Sequence, residues 1–194
     1  MTVSEGRSNL RPAMTEANRT ALLDARAIAR AIARMAEEIV RFSGGTDQLV
    51  LVGIQRRGVD LAERLARQIA GERGGVPQGA VDITLYRDDL QTVGPRPIVG
   101  ETYIPVDLTG KWVMVVDDVL YTGRTVRAAL AELADFGRPA RVGLCVLVDR
   151  GGRELPIHAD VVGETIAVDP GSRIDVLLEE RDGRDAVELV QGGP

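Results

Sequence analysis

Two adjacent carboxylates, Asp117 and Asp118, close a run of four apolar residues and are followed at once by Thr122, Gly123 and Thr125. Hydroxyls and a glycine between an apolar strand and a helical pattern place a turn at a helix N-terminus. Free N–H groups and the helix dipole attract a phosphate there. Gly123 lets the main chain approach such an anion closely. The acids just upstream suit sugar hydroxyls or an oxygen-ligated Mg²⁺. Read as isolated residue types, they suit equally a solvated strand end and an ordinary helix cap. Other chemistries are excluded by what the chain lacks. Lys111 is its only lysine, so no Walker-type loop can form, and Cys145 and His158 are its only cysteine and histidine. A disulfide scaffold, a zinc finger and any His-pair site are therefore out, and a Ser-His-Asp triad would rest on His158 alone.

The elements that must carry this turn follow from periodicity. Residues 20–43, with Leu22, Leu23, Ile28, Ile32, Met35, Ile39 and Val40, predict a helix stopped by Gly44-Gly45. Residues 48–54 form a continuous apolar run, as in a strand covered on both faces. Helical spacing returns over 58–70 and breaks between Gly71 and Pro77. Residues 81–87 alternate and predict a strand, and 88–102, rich in Gly and Pro, predict a long mobile loop of the kind that serves as a lid. A strand over 112–119, a helix over 125–137 and a strand over 141–150 follow. Short apolar stretches over 160–190 predict two or three strands of a smaller appendage. Strand–helix alternation means a parallel α/β sheet, whose ligands lie beyond the carboxyl ends of its strands. At 194 residues one domain is expected over 20–194, behind a mobile leader at 1–19. No signal peptide or bilayer-length apolar run is visible, so a cytoplasmic protein off the membrane is expected. The net charge of −5 repels a polyanion, so any nucleic-acid contact needs a local basic patch.

The string VMVVDDVLYTGRTVRAAL (113–130) resembles the 5-phosphoribosyl 1-pyrophosphate (PRPP) binding motif of type I phosphoribosyltransferases. Four other segments, LVGIQRRG (51–58), DITLYRDDL (82–90), DFGRPAR (135–141) and LVDRGGRELPIHAD (147–160), are similar to the family of bifunctional pyrimidine-operon regulators that are also uracil phosphoribosyltransferases. The likeness runs over roughly residues 20–190. It implies the type I phosphoribosyltransferase fold, with a small hood at about 150–190, and transfer of phosphoribose from PRPP to uracil, giving UMP and diphosphate. By this resemblance Asp117 and Asp118 are catalytic, holding the ribose hydroxyls partly through Mg²⁺, and Tyr121, Thr122, Gly123, Arg124 and Thr125 cradle the 5-phosphate. Val113, Val119 and Leu120 belong to the same donor site; Arg56, Arg57 and Gly58 take the pyrophosphate. Arg87 begins the catalytic loop, while Arg150 and the backbone at Ile174 select the base. Purine-type relatives carry an Asp where this chain has Tyr121, a poor base at neutral pH, which favours a pyrimidine. The other readings are a salvage enzyme with little RNA binding or a transferase for another base.

The resemblance also implies that a messenger-RNA leader is bound in response to UMP or UTP. Arg26, Arg30 and Arg34 recur every four residues, Arg41 follows them, and Arg153 keeps a position assigned to RNA. The stripe reads equally as a solvated face paired with Glu37 or Glu38. Ala33, Glu37, Gly152, His158 and Glu164 depart from the family's RNA-contact residues. Catalysis is therefore expected ahead of RNA binding, in a homodimer or larger assembly.

Overall fold

The structure is a computed structural model and describes residues 18–71, 75–86, 101–169 and 171–191. Five parallel strands form its centre: β2 (Leu49–Ile54), β3 (Gln78–Val81), β4 (Trp112–Leu120), β5 (Arg141–Asp149) and β6 (Val161–Thr165), in the order β3-β2-β4-β5-β6. Alternation along β4 divides the core. Met114 and Val116 face helices α1 (Ala25–Ser43) and α2 (Arg57–Ala70), while Val113 and Val115 face α3 (Arg124–Leu133). Both faces are covered, which is why the strands read as unbroken apolar runs. A second, antiparallel sheet of β1 (Asn18–Asp24), β7 (Ser172–Leu177) and β8 (Ala186–Gln191) stands beside it as the hood, in the order β1-β8-β7. The short helix α4 (Glu179–Asp182) links its last two strands.

Four expectations change. The helix expected over 20–43 begins at Ala25. Asp24 caps it by accepting from the Ala27 amide at 2.7 Å, and residues 18–24 are strand β1. Leu22 and Leu23 lie in register with the helical stripe but pack against the core from the hood. Asn18 and Arg19, assigned to a leader, belong to that strand. The strand expected over 81–87 ends at Val81, because the Asp82 carboxylate accepts from the Thr84 amide (2.8 Å) and turns the chain into a 3₁₀ helix at Ile83–Tyr86. The helix expected over 125–137 ends at Leu133 and continues as a 3₁₀ turn, Ala134–Phe136, before Gly137. Residues 161–165, expected in the appendage, pair in parallel with β5 and complete the main sheet. The loop expected over 88–102 lies outside the described residues except at its end.

Candidate active site

The acids and the turn sit where the sheet geometry puts them. Asp117 and Asp118 lie among the last four residues of the central strand β4, and the chain then passes through Tyr121–Gly123 into α3. Gly123, at φ 91°, caps that helix in a left-handed conformation while packed against Leu155 and Ile157. The loop after β5 buttresses the turn. Amides of Glu154 and Leu155 donate to the Thr122 carbonyl (3.0 and 3.1 Å), Arg150 N–H donates to Leu120, and Arg124 pairs with Glu154 at 2.7 Å.

A cavity of about 300 Å³ opens beside the acids, lined by Gln55, Arg56, Arg57, Asp82, Asp118 and Thr125 among others. The structure thus brings the arginine loop after β2 and the acid pair after β4 to one site. Gly58 makes that approach possible: an added Cβ would stand 2.4 Å from the Val116 carbonyl oxygen. The Gln55–Arg56 peptide is cis. Arg57 lines the cavity and also reaches the hood, its terminal nitrogen donating to both Asp182 oxygens at 3.0 and 3.2 Å.

Burial pushes the Asp117 carboxyl well above the usual carboxylate range, and the neighbouring Asp118 charge adds to it. Asp118 is raised by burial too, against the opposing pull of its hydrogen bond with Asp117, the Val119 amide and the Arg57 charge. Two acids that resist ionisation side by side are ready for a cation or for hydroxyl donors. Among the described residues no three His, Cys, Asp or Glu side chains gather into a metal cage. Two carboxylates with oxygen-only donors instead fit Mg²⁺, which keeps several waters and shares substrate oxygens.

A second corner lies across the turn. The Arg150 guanidinium stacks 4.0 Å above the Tyr121 ring and donates to the Ser172 carbonyl of β7 at 2.9 Å. Its buried Nε has no acceptor among the described residues. Ile174, two residues along β7, is buried beneath the same hood. Gly152 packs so closely that an added Cβ would lie 2.5 Å from the Tyr121 ring, which accounts for a glycine at a position where the RNA-binding pattern has a side chain.

The remaining sequence candidates divide. Arg87 lies outside the described residues. Val113 is buried in β4, and Leu120 ends that strand in the core. Val119 is half-buried at the cavity wall. Arg26 and Arg30 are exposed on α1, but Arg34 folds onto β6, donating to the Val162 (3.1 Å) and Gly163 carbonyls beside Glu38 and Glu164. Arg153 is spent inside the chain: it donates to the Tyr121 (2.7 Å) and Ile157 (2.9 Å) carbonyls and to the Asp149 carboxylate at 2.5 Å. Sequence reasoning missed the hood residues Arg181 and Asp182, which meet Asp60 and Arg57 more than a hundred positions away. Acid-and-arginine composition over 179–185 was the only local signal of them.

Comparisons with known proteins agree with this geometry. The family model "Phosphoribosyl transferase domain" matches residues 18–175. A bifunctional protein PyrR from Chloroflexus aurantiacus is 54% identical over 176 residues, 90% of this chain and 97% of that one. The bifunctional protein PyrR of Thermus aquaticus is 57% identical over 169 residues, covering 87% and 93%. Among solved structures, a hypoxanthine phosphoribosyltransferase from Trypanosoma cruzi superimposes with TM-score 0.69 at 20% identity, covering 93% and 95% of the two chains, a likeness of fold. The chain belongs to the phosphoribosyltransferase family, in the branch of the bifunctional PyrR proteins.

Proposed function

We propose that the cavity at the end of β4 binds PRPP beside uracil and that the chain transfers the phosphoribosyl group to give UMP and diphosphate. The observation that carries this is the convergence of Asp117-Asp118 and of Thr125, in the first turn of α3, with Arg56-Arg57 around one cavity. In this reading the amides at the start of α3, with Thr122 and Thr125, take the 5-phosphate, and Asp117 and Asp118 orient the ribose hydroxyls. Arg56 and Arg57 face the diphosphate as it leaves. Negative charge grows on that group in an oxocarbenium-like transition state, so cations brought to it act where charge develops. Mg²⁺, when bound with the donor at Asp117-Asp118, supplies further neutralisation of the diphosphate. Arg150, fixed between Tyr121 and the Ser172 carbonyl, and the β7 backbone at Ile174 present the base corner. Tyr121 stands where purine-type relatives carry an acid, which favours a pyrimidine. Arg87 is assigned to the loop that closes the site. The test is uracil-dependent, Mg²⁺-dependent diphosphate release by the purified protein. Equal turnover by wild type and Asp118→Asn would overturn it.

The same chain, as a bifunctional family member, acts as a UMP- or UTP-responsive regulator that binds the RNA leader of a pyrimidine operon. Arg26, Arg30 and Arg41, exposed on α1, stand ready to meet phosphates, whereas Arg34 and Arg153 are bonded within the chain. Titration of that leader with and without UMP is the measurement. Saturable binding that tightens with UMP and weakens in Arg26→Ala/Arg30→Ala supports the assignment. Binding erased by moderate salt and indifferent to UMP removes it.

A further inference from the structure

The arginine assigned to the diphosphate is already occupied by an anion of the protein's own. Arg57 donates to Asp182 of α4 at 3.0 and 3.2 Å, while its buried Nε has no acceptor among the described residues. The acid is the fixed member of this pair. Its carboxylate accepts from the Leu178 amide at 2.9 Å, which ties it to the start of its own helix. Further contacts dock the α4 segment on α2 and its N-terminus without Arg57. Arg64 reaches Glu180 (2.9 Å through Nε) and Asp185 (2.7 Å), and Arg181 bonds the Asp60 carboxylate and the Arg56 carbonyl (3.3 Å). Arg57 is the member with a choice of partners: a long side chain rooted in the first turn of α2, on the wall of the cavity.

We propose that Asp182 is a resident competitor for the diphosphate: it holds Arg57 on the hood in the empty enzyme, and a diphosphate must draw the guanidinium away to bind. This rests on the assignment of Arg57 to the diphosphate corner. It makes that corner and the hood alternatives for one cation. The strength of the substrate contact is then a difference between two ion pairs, and the leaving diphosphate is helped out by the acid that reclaims Arg57.

Asp182→Asn separates competition from support. Asparagine keeps an oxygen for the Leu178 amide and removes only the charge that Arg57 answers. The expected result is tighter binding of inorganic pyrophosphate with Mg²⁺, by about two- to fivefold for loss of a partly exposed ion pair, read by calorimetry. KM for PRPP falls in parallel, with an unchanged melting temperature and no gain in kcat. Asp182→Glu, which keeps the charge, stays close to wild type. In an Arg57→Gln background, Asp182→Asn has no effect on pyrophosphate. Weaker or unchanged pyrophosphate binding in Asp182→Asn overturns the competition, as does an equal effect with Arg57 already removed. If Arg57→Gln alone binds pyrophosphate like wild type, the diphosphate assignment itself fails, and the competition falls with it.

Discussion

The turn after β4 and the hood opposite it are built in opposite ways. The turn is local: acids, glycine, hydroxyls and helix start follow one another from Asp117 to Val126, and a central strand with both faces buried holds them. The hood is assembled from distant pieces, with Asn18–Asp24 paired to Ala186–Gln191; Ile174, Val176, Leu178 and Val187 share an apolar core with α1 and α2, and ion pairs such as Arg57–Asp182 and Arg64–Asp185 fasten its edge. Burial makes the first region unforgiving, and a side chain there is placed to within the reach of a hydrogen bond. At the edge of the second region a partly exposed ion pair such as Arg57–Asp182 can trade partners at low cost, since such pairs are each worth about 1 kcal/mol or less. A transferase needs both: a rigid seat where charge develops, and a cover that can let product go.

Substitutions in the two regions should therefore differ in size. Asp118→Asn strikes the rigid seat, and turnover should fall on the order of 10²–10³-fold while the fold survives, because a buried acid has become neutral. Steady-state kinetics beside a thermal melt checks both halves, and a large fall in melting temperature would break the distinction. Gly58→Ala tests the close approach of the arginine loop to β4. With the Val116 oxygen 2.4 Å from the new Cβ, a loss of about 1–3 kcal/mol in denaturant unfolding is expected. Tyr121→Leu removes the ring under Arg150 and should raise KM for uracil about three- to fivefold with little change for PRPP, as expected for a stacked cation at a partly exposed site.

The smallest effect belongs to Glu132 on α3. Burial pushes its carboxyl above the ordinary glutamate value, with the Asp82 and Asp135 charges adding to this and the Thr102 hydroxyl opposing it. Its Oε2 has no hydrogen-bond partner among the described residues. A carboxyl raised on folding favours the folded state fully below its unfolded pKa, and loses that contribution as pH climbs through the folded value. Glu132→Gln should thus melt higher than wild type at neutral pH by a degree or two, about 1 kcal/mol or less, and the gap should vanish in acid. A gap that widened in acid would reverse the sign of the argument.

The same contrast explains what could be read in advance. Strands 49–54 and 112–120 announced themselves because burial on both faces leaves a continuous apolar run, and the site between Asp117 and Thr125 is contiguous in the chain. Gly44 and Gly137 ended their segments as local backbone chemistry requires, both at positive φ. Strand β1 was hidden because Leu22 and Leu23 fit the period of the adjoining helix, and only pairing with residues some 165 positions on makes them a strand. Asp82 broke an alternating pattern by capturing the Thr84 amide, a local event that alternation does not register. The carbonyl partners of Arg34 and Arg153 were hidden for a similar reason. An arginine stripe displays charge, but which carbonyls lie within reach is decided by tertiary packing, here the Val162 and Tyr121 backbones.

Strand order in the hood has a temporal consequence. Because β8 lies between β1 and β7, neither of these can find its neighbour until β8 has been made. On the ribosome, the five strands of the parallel sheet are all translated by Thr165, some twenty residues before β8 begins. Any clipping that removes Ala186–Gln191 would therefore spare every strand of the parallel sheet and leave β1 and β7 together without their shared partner.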